Sequence, residues 1–505
     1  MSRLALGFIL AFAGCTSWKT QSAAPADAIA PGDHVRVTRA DGSILELTKA
    51  TVVGDSLSGH SPAAKDSSSR TTVPLADVQS VAVNRVSGGK TLLLVGGLGL
   101  TAMLVAAAAQ GDDQPTASTG TGSGTGLGTG SCPLVYSWDG AGWRLDSGTF
   151  GGAIAPALAR TDVDNLIYAS PKNGMLRLRV TNELDETDYL DRISLLVVDH
   201  PTGSTVAPDA DGNIHPLGAL ISPASARDFR GTDALERVSR ADGWSWESNP
   251  AGRDTATSRD IRDGLELVFP RPRQGTARLV VEGHNTPWAA YLMQELVAAH
   301  GRETQPWFDS LATIPRLADG YMALAAAEGF LGVSTWVNGS WEPQGYIWEA
   351  GPEVSKRQVF SLDLSRTVGD SVRIRLESAP SFWLIDQVAL DSSTAAPFTV
   401  QEIYPESAVD RSGKDVLGRL TATDKNYFSM ENGDGAELTF RLPHPRPGRV
   451  RSYLVRSSGW YRLHGSDSTP ANRPLLSAVV AQPHGASRLA VARMNEALLR
   501  LSQAQ

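Results

Sequence analysis

Residues 175–180 read Met-Leu-Arg-Leu-Arg-Val, with an apolar residue at every second position and arginine between. Successive side chains of a strand point to opposite faces, so this pattern describes a strand with one face in a core and the other in water. The alternation returns in Leu265-Glu266-Leu267, in Val372-Arg373-Ile374-Arg375-Leu376 and in Glu437-Leu438-Thr439-Phe440. Residues 193–198 are apolar on both faces, which predicts a central strand covered on both sides. From residue 132 onward the expectation is a mainly β region of packed sheets.

Two helices interrupt this pattern. In Asn285-Thr286-Pro287-Trp288 a capping residue precedes proline at the first helical position, and Trp288, Leu292, Glu295, Leu296 and Ala299 then follow helical rows. The tail carries an apolar stripe of Ala490, Met494, Ala497, Leu498 and Leu501 at three- and four-residue steps. Both are read as packing elements. The region divides into a β-rich domain with an inserted helix (132–330), a β-sandwich segment (331–391), a C-terminal β-rich part (392–483) and a C-terminal helix (484–505).

Upstream, residues 32–86 hold short β-rich runs bounded by turn residues, among them His34-Val35-Arg36-Val37-Thr38 and Ile44-Leu45-Glu46-Leu47. Their spacing predicts a small barrel of four to six strands and resembles the SH3-like and Sm-like barrels. Residues 91–109 contain no charge; as a helix they would reach about 28 Å, enough to span a bilayer. Residues 110–131 are a Gly/Ser/Thr-rich linker that cannot bury a core. At the N-terminus, Arg3, an apolar stretch over residues 4–13 and the box Phe12-Ala13-Gly14-Cys15 resemble a bacterial lipoprotein signal over residues 1–14, followed by a polar spacer to residue 31. The resemblance implies lipidation of Cys15 and anchoring to a membrane, with the segment 91–109 as a second candidate membrane contact. Thr16 in place of aspartate after that cysteine favours an outer-membrane address.

In 505 residues, 54 acidic side chains stand against 46 basic ones, a formal net charge of -8 spread without long runs of one sign. That distribution offers no footprint for nucleic acid. The two cysteines are Cys15 and Cys132. With lipid on the first, no intramolecular disulfide can form, and Cys132 reads as a buried structural thiol.

Gly54-Asp55-Ser56-Leu57 spells the signature of a serine esterase family, in which a late Asp-x-x-His supplies the base. None of the nine histidines has aspartate three positions earlier, and Ser58-Gly59-His60-Ser61-Pro62 breaks a helix where that family starts one. Ser56 is therefore expected in an exposed tight turn, with no catalytic role. Ser87-Gly88-Gly89-Lys90 matches a Ser-x-x-Lys spacing without its companion motifs. Neither a phosphate-binding loop nor a metal-ligand spacing is present, so no catalytic residue, metal or cofactor is expected. Trp336, Trp341 and Trp348, within one short span, are candidate ligand-binding rings that could stack on sugars, weighed against ordinary packing.

Cys132-Pro133-Leu134-Val135-Tyr136-Ser137-Trp138-Asp139-Gly140, followed by Gly151-Gly152-Ala153 and residues 180–201, resembles a module of uncharacterised bacterial lipoproteins and of bacterial tetratricopeptide and cartilage-acidic-protein-like proteins. The likeness extends over residues 131–465 and carries over no catalytic or ligand residue. Residues 331–391, closing on Phe382-Trp383-Leu384-Ile385-Asp386-Gln387-Val388, are similar to jelly-roll, galactose-binding-like domains. The resulting expectation is a non-enzymatic, membrane-anchored lipoprotein of the bacterial cell envelope, facing the periplasm or the cell exterior. Its β-sandwich surface would bind or scaffold an envelope protein; the alternatives are glycan binding or hydrolysis of an envelope polymer.

Overall fold

The computed structural model describes residues 17–21, 33–39, 44–61, 70–85, 132–249, 251–273, 275–394, 396–464 and 469–503. Cys15, the residue expected to be lipidated, and residues 1–14, 87–90, 91–109 and 110–131 lie outside them. The protein is mainly β, with several antiparallel sheets and few helices. It divides into two compact units, Met1–Gly99 and Leu100–Gln505.

In the first unit, β1 (Ser17–Gln21), β2 (Asp33–Arg39), β3 (Ile44–Val53), β4 (Ser56–His60), β5 (Arg70–Pro74) and β6 (Val78–Arg85) form one antiparallel sheet in the order β1-β6-β2-β3-β4-β5. The long strand β3 pairs with β2 through its first half and with β4 through its second, with a register shift in each ladder, which bends the sheet around its own core. That core is Val35, Val37, Leu47, Ala50 and Leu57. β1 falls in the stretch read above as a polar spacer: its residues pair with β6 from Ser17↔Arg85 to Gln21↔Val81, because a ladder's backbone bonds need no apolar side chains. Gly54 and Asp55 make the tight β3–β4 turn, Gly54 at φ +58°. Ser56 is not in an exposed turn; it opens β4, half-buried, paired with Val53 and Pro74.

The second unit contains two sandwiches. Its strands are β7 (Leu134–Trp138), β8 (Trp143–Gly148), β9 (Arg160–Asn165), β10 (Met175–Thr181), β11 (Glu186–His200), β12 (Thr205–Pro208), β13 (Ile214–Leu217), β14 (Ser225–Asp228), β15 (Asp263–Pro270) and β16 (Thr276–Asn285). They continue with β17 (Leu331–Val337), β18 (Ser340–Ile347), β19 (Lys356–Asp363), β20 (Ser371–Ser378), β21 (Trp383–Asp391), β22 (Thr399–Ile403), β23 (Ser407–Asp410), β24 (Phe428–Met430), β25 (Gly435–Arg441) and β26 (Val450–Leu463). The first sandwich packs the sheet β23-β25-β10-β7-β8 on β22-β11-β26-β9 around a core that includes Val135, Leu178, Leu195, Leu438 and Val455. The second packs β14-β15-β20-β17-β18 on β19-β16-β21 around Leu267, Leu279, Ile374 and Val388.

The two sandwiches repeat one plan. Matching β23 to β14, β25 to β15, β10 to β20, β7 to β17, β8 to β18, β11 to β21, β26 to β16 and β9 to β19 reproduces both sheet orders. Sequence follows structure. Residues 223–237 and 405–419 share Pro, Ser, Ala, Asp, Gly, Asp, Leu and Arg in register, and Asp-Gly-x-Glu-Leu-x-Phe stands at both 263–269 and 434–440. Local bonding matches as well. Asp228 Oδ1 accepts from the backbone N–H groups of Arg230 and Thr232 at 2.9 and 2.8 Å, and Asp410 Oδ1 from those of Ser412 and Lys414 at 2.9 and 3.0 Å.

Chain order reveals an exchange. Strands β7–β11 and then β14–β16 form the first repeat; β17–β21 and then β23, β25 and β26 form the second. Each sandwich takes its first five strands from one repeat and its last three from the other. Residues 331–391 thus supply five strands of the second sandwich, while residues 225–285 supply its remaining three.

Helices follow each repeat: α1 (Pro287–Ala298), α2 (Thr304–Thr313) and α3 (Pro315–Glu328) after the first, α4 (Arg473–Ala481) and α5 (Gly485–Gln503) after the second. Sequence periodicity located α1 and α5. Missed were α2, α3 and α4, although α4 opens on Asn472-Arg473-Pro474, where Asn472 Oδ1 accepts from the Leu475 N–H at 3.2 Å. Thr286 Oγ1 caps α1 the same way, accepting from the Ala289 N–H at 3.2 Å.

Candidate functional site: a helix-roofed cavity

The helices divide their apolar residues between two cores: Val297, Phe308, Leu311 and Ala318 join the core of the first sandwich. Trp288, Tyr291 and Leu292 of α1 pack on Ala490, Met494 and Ala497 of α5. The other faces of α1, α3 and α4, together with the ends of both sandwiches, line a cavity of about 670 Å³. That volume lies within the range of small-molecule sites. The wall is largely hydrocarbon: Ile154, Leu296, Leu324, Phe382, Val479 and Leu489 are representative. At its rim stand Leu317 and Val480, 44% and 75% exposed.

Polar groups on this wall are few and mostly engaged. Asn285 Oδ1 accepts from the N–H groups of Ala350 and Gly351 at 2.9 and 3.2 Å. Glu328 Oε2 accepts from the Ser487 N–H at 3.1 Å and from Ser487 Oγ at 2.6 Å. His300 stacks on Trp307 with centroids 4.2 Å apart, and burial lowers its pKa, which keeps the ring neutral near pH 7. Tyr461 Oη accepts from the Gly152 N–H at 2.9 Å. Glu349 also lines the cavity, and burial raises its pKa.

Behind Glu349 lies a buried charge cluster joining the two sandwiches through the equivalent strands β9 and β19. Arg160 pairs with Asp162 at 2.9 Å, and Lys356 with Asp164 at 2.9 Å and with Asp162 at 3.6 Å. Ser147 Oγ donates to Asp164 at 2.5 Å. Each charge here has an opposite partner, as burial requires.

The candidate tryptophans do not share one face. Trp336 and Trp341 meet across the β17–β18 hairpin, ring centroids 5.1 Å apart and planes at 71°, with Arg373 4.6 Å from the Trp336 centroid and Arg375 4.3 Å from that of Trp341. Trp348 lies apart, tilted against Phe330 at 5.0 Å and covered by Arg160 at 4.9 Å. Cys132 is free and buried, and burial pushes its thiol pKa well up. Beside it, Glu186 Oε1 accepts from the Cys132 N–H at 2.8 Å, and burial also raises the carboxyl pKa values of Glu186 and Asp188. Among the described residues, no group of three His, Cys, Asp or Glu side chains is placed to hold a metal ion. None of their helices is long and apolar enough to cross a membrane.

No protein-family profile matches the chain, and no curated protein matches it. Among solved structures it is similar to the GH31 alpha-xylosidase from Xanthomonas citri, at 10% identity with a TM-score of 0.15. That match covers 84% of this chain and 38% of the xylosidase chain. A similarity at that level carries no argument about fold or activity.

Proposed function

We propose that the protein is a non-enzymatic binding protein of the bacterial cell envelope, anchored through lipid on Cys15, whose second unit holds an apolar small molecule in the helix-roofed cavity. The observation that carries this reading is the cavity itself: a large hydrocarbon wall with a few polar groups, Gln294 and Arg316 among them, and with Leu317 and Val480 exposed at its rim. Its lining favours binding over catalysis. No serine, threonine, cysteine, aspartate or lysine stands among the lining residues, and of its two carboxyl groups Glu328 is held by the Ser487 N–H and hydroxyl. The paired Trp and Arg side chains of the β17–β18 face stack on one another, which favours a packing role for them over a glycan platform.

Two measurements test the proposal. A neutral naphthylamine probe should brighten on binding the purified chain, and Gly320→Phe should weaken that binding at least tenfold. Gly320 lines the cavity, and a Cβ built there meets nothing within 4 Å. Replacing glycine inside α3 should not cost stability, so undiminished probe binding by a folded variant would reject the cavity as the site. Separately, cells fed labelled fatty acid should incorporate it into the wild-type chain and not into Cys15→Ser; equal labelling would reject the anchor.

A further inference from the structure

Two polar side chains on the cavity wall have no partner among the described residues, Gln294 of α1 and Arg316 of α3. An amide both donates and accepts, so Gln294 favours no particular charge. Arg316 differs, because a guanidinium carries a fixed positive charge and only donors. It stands in the first turn of α3, exposed at the cavity mouth between Ile314 and Leu317, which are 45% and 44% exposed. That turn holds no acidic residue and no side chain caps it, so the arginine adds its charge to the positive end of the helix with nothing to offset it.

The two carboxyl groups of the wall lie at the other end. Glu328 is the last residue of α3, about 18 Å along the helix axis from Arg316. The end of α3 meets the start of α1 there: Trp383 Nε1 donates to the Gly329 oxygen at 2.9 Å, and the Thr286 N–H donates to the Phe382 oxygen at 3.0 Å. Glu349 fills the space that a Cβ on Gly152 would take, and the next residue, Ala350, bonds to Asn285 just before α1 begins. Between the two ends Leu317, Gly320 and Leu324 follow one face of α3 along the wall, and a Cβ built on Gly320 meets nothing within 4 Å.

Resting on the reading that the cavity holds a ligand, we propose that this ligand is a single-chain amphiphile with an anionic head, as a long-chain fatty acid is. Its carboxylate pairs with the Arg316 fork at the mouth, where water still reaches both charges and little desolvation is asked of either. The acyl chain runs inward along Leu317, Gly320 and Leu324. Hydrocarbon takes the inner end, because an anion there would face Glu328 and Glu349.

The test uses the purified full chain with the neutral naphthylamine probe bound, at neutral pH and low salt, with dodecanoate and dodecanol as competitors. Arg316→Gln should need about fivefold more dodecanoate than the wild type to release the probe, the factor that an exposed ion pair of about 1 kcal/mol supplies, and no more dodecanol. Arg316→Glu should weaken dodecanoate further and still spare the alcohol. Neither variant should cost folding, since removing a positive charge from an exposed first turn favours the helix. In the wild type, added salt should weaken dodecanoate relative to dodecanol. A dodecanoate requirement that stays unchanged in both variants, or rises only as much as that of the alcohol, would overturn the anionic head and leave the cavity reading standing; failure of the probe to bind would remove both.

Discussion

Single residues show how tightly the sandwich plan constrains the chain. A Cβ on Gly264 would lie 1.8 Å from the backbone oxygen of Leu376, and one on Gly435 2.5 Å from that of Val180. The two glycines are equivalent, and both hold Asp-Gly-x-Glu because the neighbouring strand passes where a side chain would stand. Other residues carry a cost. Glu247 buries its Oε2 without a hydrogen-bond partner, and burial pushes its pKa from the usual carboxylate range up to about 8, with Arg237 opposing the shift. A carboxyl raised in the folded state favours folding while protonated. Its stabilisation is complete below about pH 4.5, the ordinary value, and is lost as pH climbs through about 8. Glu247→Gln should remove that loss. The melting temperature of the variant should gain on the wild type from pH 5 to about pH 8 and level off above it, as followed by circular dichroism; parallel curves throughout would show that the carboxyl ionises freely in the fold.

At the scale of elements, both sandwiches carry one side-chain ladder on the same five-stranded sheet. Trp138 and Trp143 meet across the β7–β8 hairpin at 5.3 Å, Arg177 and Arg179 of β10 stack on them, and Glu437 of β25 pairs with both arginines. Trp336, Trp341, Arg373, Arg375 and Glu266 repeat the arrangement. Each cation–π contact contributes about 0.5–1 kcal/mol at such partly exposed sites, so the ladder staples a sheet face that has no second layer over it. The strands bearing the ladder were legible because their periodicity of two is local, Met175 to Val180 being the plainest case. The exchange between repeats was not legible from periodicity, since a strand's pattern says which face it buries and nothing about which strand it joins. Comparing residues 223–237 with 405–419 exposes the duplication, and the Asn-Arg-Pro opening of α4 signals a helix by the same chemistry as Thr286-Pro287. Glu349 carried no signal, because its position depends on Gly152, nearly two hundred residues earlier, leaving room for it.

For the whole molecule, the exchanged arrangement means that identical contacts form across very different lengths of chain. Arg177 reaches Glu437 over 260 residues, whereas the equivalent pair Arg373 and Glu266 is separated by 107. Closing such loops costs little more for the longer one, since the entropy grows only with the logarithm of length, but contacts of this range slow folding. The same strands offer a competing arrangement in which each repeat closes on itself, with β14–β16 completing β7–β11 and with β23, β25 and β26 completing β17–β21. The two differ in how they respond to a cut between the repeats. Ile314, 45% exposed between α2 and α3, is the place for an engineered protease site. Cleavage there should leave residues 1–314 and 315–505 bound together through both sandwiches, co-eluting on size exclusion and parting only in denaturant. Fragments that separate under native conditions, each with sheet-rich circular dichroism, would mean that the repeats close on themselves and that the strand exchange is wrong.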